Sequence, residues 1–273
     1  MSRPPSVEEQ VAALADLYSK RAAAYDALWS PVIRPLGEHL LDRLPLARAS
    51  DVIDIGCGAG ALLPLIQQRA PGATVLGVDR SQGMLEVARR KHSGPLAQMD
   101  AQQLDLPDGS FDVAVIAYVL FHMPSPERCL REAHRVLRSG GVIGVVTWAD
   151  EQPPPANKVW DEELAAAEAK PMELPAVDNF EATNTEAKLR GLLEGAGFAV
   201  ELMSVESLEH RWPPEEHLEW HLQSTSRVRL DSLTAEARDD CLNRVKQRLA
   251  KLGPSDYTFR GEVLIATAHK KVR

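Results

Sequence analysis

The stretch Val52-Ile53-Asp54-Ile55-Gly56-Cys57-Gly58-Ala59-Gly60 is a short apolar run that breaks into alternating glycines. Directly after it, Leu62, Leu63, Leu65 and Ile66 recur at helical spacing up to Pro71-Gly72. A buried strand, a glycine turn and a helix form the repeating unit of open parallel sheets. Glycines belong where the chain turns sharply and where a ligand approaches without a Cβ in its way. The helix behind such a turn offers unpaired N–H groups to an anionic group. The same turn also serves close strand–helix packing, so taken alone it leaves both meanings open.

Outward from this point the pattern repeats. Residues 73–78 read as a second strand closed by Asp79, 19 residues after Gly60. A carboxylate there can accept both hydroxyls of a ribose, or it can cap the next helix. Ser81 is a second candidate cap, and Met84, Leu85, Val87 and Ala88 line that helix. Residues 95–99 form a short third strand ending in Asp100-Ala101-Gln102, a polar group for a base edge or simply a turn. Asp108-Gly109 marks a turn, and 111–118 is a fourth strand rich in Val, Ile and Ala. Ser125-Pro126 starts a helix with Leu130, Ala133, Val136 and Leu137 on one face. Gly140-Gly141 is expected to end it, before a fifth strand over 142–147. Three candidate ligand groups thus sit at the carboxyl ends of successive strands, where open α/β sheets bind ligands.

With these residues in place, the chain resembles the class I S-adenosylmethionine-dependent methyltransferases, especially the ubiquinone/menaquinone-biosynthesis type that acts on small molecules. The resemblance rests on VIDIGCGAG (52–60), VLGVDRSQGMLE (75–86), QMDAQQLDLPDGSFDVAVIAYVLFHM (98–123), REAHRVLRSGGVIGVVTW (131–148) and LLEGAGF (192–198). It implies an α/β, Rossmann-like, doubly wound sheet of seven strands, mostly parallel with the last antiparallel, plus a helical cap. It implies S-adenosyl-L-methionine as cofactor. Gly56, Cys57 and Gly58 would line its methionine part with Asp54 behind them, and Asp79 would hold the ribose. Arg80 and Met84 would flank the adenine, with Asp100 and Ala101 at its edge. Ala117 and Tyr118 would lie near the sulfonium, with His122 just beyond. The segment holding Tyr18 and Tyr25 resembles the one that folds over the cofactor, and is otherwise an amphipathic surface helix.

The expected organisation is one domain over 1–273. Its core covers about 45–150, 184–206 and 256–273, and its cap about 1–40, 150–183 and 207–255, with a small-molecule acceptor beneath the cap. The reaction implied is methyl transfer by in-line displacement, for which an oxygen or carbon acceptor needs a base. Candidate bases are His122, His210, His217 and His221. A cofactor-binding protein without transfer, and a nicotinamide oxidoreductase, are the other readings. The G-x-G-x-G spacing and the lack of a dehydrogenase-type Tyr/Lys pair favour the methyl donor.

The remaining features exclude more than they identify. The 273 residues carry 31 basic and 39 acidic side chains, a net charge of −8 that argues against a nucleic-acid partner. The absence of an apolar run near 18 residues argues against a membrane span, and the N-terminal ten residues hold no signal-peptide core. The three cysteines, Cys57, Cys129 and Cys241, read as reduced thiols of a cytoplasmic protein. His217 and His221 are spaced for zinc, but no third ligand is evident, and a solvated helix face is expected instead; no metal site is assigned. Trp148, Trp160, Trp212 and Trp220 either wall an apolar substrate pocket or pack the cap. Between Arg227 and Lys251, acids interleave with seven basic residues, as in surface ion pairing rather than RNA binding.

Overall fold

The structure, a computed structural model, describes residues 5–171, 177, 179–224 and 226–271. It opens with helix α1 (Val7–Ala24), a π-helical turn (Tyr25–Trp29) and α2 (Ser30–Leu41). Strand β1 (Asp51–Ile55), α3 (Leu63–Arg69), β2 (Thr74–Asp79), α4 (Gln82–Ala88) and β3 (Leu96–Gln98) follow, then β4 (Phe111–Ala117). Next come α5 (Pro126–Val136), β5 (Leu137–Gln152), α6 (Ala156–Ala166), α7 (Phe180–Thr183), α8 (Glu186–Gly195) and β6 (Phe198–Arg211). The chain ends through α9 (Pro214–Gln223), α10 (Arg227–Asp231), α11 (Ala235–Leu249) and β7 (Thr258–Lys270).

The strands form one seven-stranded sheet in the order β3-β2-β1-β4-β5-β7-β6. Pairings β1–β2, β1–β4, β2–β3 and β4–β5 are parallel, and one strand at the far edge runs antiparallel. The central strands are buried on both faces, which is why β4 is apolar but for Asp112 and why Val52, Ile53 and Ile55 of β1 are all buried. The order reverses at β1, so β1 and β4 part at their carboxyl ends and leave a crevice there. Helix starts follow the expected chemistry: Ser81 caps α4 by accepting the Met84 amide at 3.2 Å, and Ser125 caps α5 by accepting that of Arg128 at 3.3 Å.

The junction after α5 differs from expectation. The helix stops at Val136 and β5 begins at Leu137, so Gly140 and Gly141 lie within the strand. Leu137 pairs with Phe111 and Val142 with Val113, leaving extra residues on β5 that bulge outward. Gly140 takes φ +76°, and a Cβ on Gly141 would meet the Arg138 carbonyl at 2.9 Å. These glycines therefore make a bulge possible instead of ending a helix.

The chain divides into two compact units, 1–150 with 175–206 and 262–273, and 151–174 with 207–261. Helices α1 and α2 belong to the first. In the second, the nearly buried Glu163 of α6 accepts from Arg244 at 2.7 Å and from Arg248 at 2.8 Å, both from α11. These guanidinium groups hold its carboxyl below the usual carboxylate range. Arg227 and Arg238 pair with Asp231, so the basic stretch is an ion-pair pattern.

The solvated face expected for His217 and His221 is corrected in this unit. The two are 1% and 6% exposed, and both direct Nε2 to Asn157 Oδ1, at 2.8 and 3.2 Å. Trp160 stacks on His221 at 4.9 Å. A shared amide acceptor 60 residues away provides the partner that permits their burial. Burial pushes their pKa values down, to about 4 for His217 and, with help from His217, to about 3 for His221.

Candidate active site

The crevice at the end of β1 is shaped by three backbone facts. Gly56 turns at φ +77°, and a Cβ there would meet the Val119 side chain at 2.4 Å. The amides of Gly56 and Cys57 both reach the Val78 carbonyl, at 2.7 and 3.0 Å, folding the turn back onto β2. Gly58 at φ +52° has nothing within 4 Å of where its Cβ would be, so open space lies against the bare backbone. Gly58 thus leaves the room that a ligand's approach requires, whereas Gly60, whose Cβ would meet Ala88 at 2.9 Å, serves close packing.

Asp79 closes β2 beside this turn. Its Oδ2 accepts the Gly58 amide and its Oδ1 the Ser81 amide, each at 2.8 Å. Burial raises its pKa, and these backbone hydrogen bonds pull it partly back. Asp54 is 2% exposed; burial, and next the charge of Asp79, push its pKa up to about 7. The buried Cys57 thiol is pushed well up, chiefly by burial, and is therefore not a nucleophile at neutral pH. Arg80 pairs with Asp100 at 3.1 Å, and Met84 is buried at the start of α4.

Helix α1 lies directly on α4. Ser19 Oγ bonds Ser81 Oγ at 2.7 Å and accepts the Gly83 amide at 3.3 Å. A Cβ on Gly83 would fall 2.4 Å from the Ser19 carbonyl oxygen, so only glycine permits this approach. An ion pair between Lys91 and Asp26 continues the contact. Tyr18 reaches across with its hydroxyl 2.9 Å from His122 Nε2, and its ring meets that of Tyr25 edge-on at 5.7 Å. Tyr25 opens the π-helical turn, a backbone irregularity found often at functional sites.

One cavity is lined by Tyr18, Tyr25, Asp54, Gly56, Cys57, Gly58, Asp79, Arg80, Met84, Asp100, Ala101, Ala117, Tyr118 and His122. Every residue named for the cofactor from the sequence thus faces one space. The cavity also takes in Val11, Leu14, Ser30 and Ile33 from α1 and α2, and Met99 and Val119 from strand ends. Sequence reasoning missed the α2 residues; the signal available was the apolar spacing of Val32, Ile33 and Leu36. Among the candidate bases, His122 lines the cavity, whereas His210, His217 and His221 belong to the second unit. Trp148 is buried in the first unit against Tyr118, with ring centroids 5.1 Å apart. No group of three potential metal ligands occurs among the described residues.

Residues 53–145 match the model of a methyltransferase domain. Trans-aconitate 2-methyltransferase of Methylobacterium nodulans is 30% identical over 243 residues, which cover 85% of this chain and 90% of that protein. The chain belongs to the S-adenosylmethionine-dependent methyltransferases. A second family member, phosphatidylethanolamine N-methyltransferase of Cereibacter sphaeroides, is 39% identical over 107 residues, 37% of this chain. The chain spans about half the length of that relative, 51%. Among solved structures, an N-methyltransferase of Haemonchus contortus holding phosphomonomethylethanolamine and S-adenosylhomocysteine superposes with a TM-score of 0.54 at 17% identity. That match covers 100% of this chain and 62% of the other and shows the shared fold. No described helix is long and apolar enough to cross a membrane.

Proposed function

We propose that the protein transfers a methyl group from S-adenosyl-L-methionine to a small-molecule acceptor by in-line displacement. The observation that carries this is Asp79. It ends β2 with its carboxylate in the cavity, beside a Gly58 backbone that has open space where a side chain would be. A cofactor with a ribose, an adenine and a methionine tail fits this lining. Bound there, the sulfonium supplies an already activated methyl.

The chain's own residues then bind and orient. Asp79 accepts from the ribose hydroxyls with the lone pairs left by Gly58 and Ser81. Arg80 and Met84 flank the adenine, and Asp100 and Ala101 meet its edge. Gly56, Cys57 and Gly58 let the methionine portion lie against the backbone, with Asp54 beneath. The carboxylates of Asp54 and Asp79 suit a ligand that carries net positive charge, because the cavity's Arg80 is already paired with Asp100. Tyr18 and Tyr25 cover the site, while Ala117 and Tyr118 face the reacting end. His122, oriented by Tyr18, is the imidazole assigned to accept a proton from an oxygen or carbon acceptor.

Helix α1, packed on α4 beside the cavity, is positioned to limit water access during the transfer. Cys57, Cys129 and Cys241 are buried and free of disulfides, from which we infer a reducing cytoplasm as the compartment. The test is production of S-adenosylhomocysteine from S-adenosylmethionine across a panel of small acceptors. Turnover with at least one acceptor, abolished in Asp79→Ala at low cofactor, is expected. Tight cofactor binding without turnover across oxygen, nitrogen and carbon acceptors would contradict the transfer role.

A further inference from the structure

Two residues that line the cavity, Tyr118 and Ser30, each carry a buried hydroxyl without a hydrogen-bond partner. The residues are 8% and 5% exposed. A hydroxyl removed from water without a partner is costly, and a cavity wall is where a ligand can supply the missing one. Tyr118 is also a bulky residue at φ +59°, a conformation that glycine adopts easily and tyrosine does not. Its amide donates to the Val146 carbonyl at 2.8 Å, so pairing of β4 with β5 holds the strained turn in place. Strain of this kind gathers at ligand sites. Burial, and next the charge of Glu206, raise the Tyr118 pKa, so the hydroxyl keeps its proton and can donate.

The surroundings define what such a ligand is. Val11, Leu14 and Ile33 give this cavity an apolar wall from α1 and α2. Its two guanidinium groups are already engaged, Arg34 with Glu38 at 2.6 Å and Arg80 with Asp100 at 3.1 Å. Asp54 and Asp79 bring negative charge to the same space. An anionic acceptor therefore finds no free cation among the described lining residues and meets carboxylates instead. Resting on the methyl-transfer reading above, we propose that the hydroxyls of Tyr118 and Ser30 bind the acceptor, an uncharged molecule with an apolar body and a hydroxyl or carbonyl group. Both are binding residues, and no proton or bond changes hands at them.

Titration of the S-adenosylhomocysteine-loaded protein with 2-naphthol, and with naphthalene as the hydroxyl-free control, tests this. Tryptophan fluorescence reports binding, because the Trp148 ring lies against Tyr118, with centroids 5.1 Å apart and planes tilted by 51°. The wild type is expected to prefer 2-naphthol by about tenfold, the worth of one or two hydrogen bonds. Tyr118→Phe should cut that preference to about threefold and Tyr118→Phe/Ser30→Ala should abolish it. Citrate, a tricarboxylate, should displace neither probe. Both variants should melt at or above the wild-type temperature, since each loses an unpartnered buried hydroxyl. S-adenosylhomocysteine affinity should stay within about threefold, because the Tyr118 ring remains. Equal binding of the two probes by the wild type, a preference that survives the double variant, or displacement by citrate would overturn the proposal. Failure of S-adenosylhomocysteine to bind would overturn the cofactor reading instead, and the naphthol preference of the ligand-free protein would still report on the two hydroxyls.

Discussion

The Asp79 carboxylate accepts the Gly58 backbone amide at 2.8 Å, so the end of β2 clamps the glycine turn that follows β1. One side chain thereby both shapes the glycine turn and lines the cavity. A hydrogen bond to a charged acceptor is worth ~1.5–3 kcal/mol. In Asp79→Ala, exchange of the Gly58 amide should accelerate by about tenfold or more. The melting temperature should move little, because removing the carboxylate also removes the burial cost that raises its pKa. An unchanged Gly58 exchange rate would show that the turn holds itself.

On the proposed function, Asp54 should make cofactor binding pH-dependent. Its pKa is raised to about 7 by burial and by Asp79, so it is largely neutral at pH 6 and ionised at pH 8. A cationic ligand favours the ionised form, and S-adenosylmethionine affinity should therefore rise by ~3- to 10-fold from pH 6 to pH 8. S-adenosylhomocysteine, lacking the sulfonium charge, should gain less. Asp54→Asn should flatten both profiles, as calorimetry over that range can check. A profile that falls with rising pH would contradict the assignment.

The second unit responds to pH with the opposite sign in stability. His217 and His221 have folded pKa values of about 4 and 3, below the ordinary 6.5. The unfolded chain thus binds more protons, and stability is lost as pH falls below about 6.5. Each histidine contributes a slope of ~1.4 kcal/mol per pH unit until its folded value is reached. Asp54 acts oppositely in the first unit, since its raised pKa favours the folded state at low pH and loses that contribution as pH rises through about 7. Hydrogen exchange of α6 residues around Trp160 at pH 5 and pH 7, corrected for intrinsic rates, should show weaker protection at pH 5. Equal protection would mean that the two imidazoles are not buried as described.

Gly83 controls whether α1 can lie on α4. Alanine is the better helix former by ~1 kcal/mol, yet its Cβ would fall 2.4 Å from the Ser19 carbonyl. Gly83→Ala should therefore lift α1, weaken S-adenosylhomocysteine binding by about tenfold, and deprotect residues 11–28. In the wild type, the same residues should gain protection when S-adenosylhomocysteine is added. Equal protection with and without ligand would count against α1 as a closing element.

Much of this was legible in the sequence because the signals were local. The run 52–60 with Leu62, Leu63 and Ile66 carries its strand, turn and helix within a few residues, and Ser81 and Ser125 cap helices as their side-chain chemistry dictates. That the residues proposed for the cofactor line one cavity was legible because strand ends in such a sheet converge. What escaped depends on partners distant in the chain. His217 and His221 sit among Glu215, Glu216 and Glu219 and look solvated, yet Asn157 makes their burial possible. Gly140-Gly141 looks like a helix end, and only pairing of Leu137 with Phe111 reveals a bulge. Ser30 and Ile33 carry no motif, and only the docking of α2 brings them to the cavity.

Calorimetric titration of S-adenosylhomocysteine into the wild type and Asp79→Ala at pH 8 tests the cofactor site most directly. Loss of the group that accepts from two ribose hydroxyls should weaken binding by ~10- to 100-fold, since each tenfold is ~1.4 kcal/mol. Affinity equal to wild type in the folded variant would contradict the ribose assignment of Asp79.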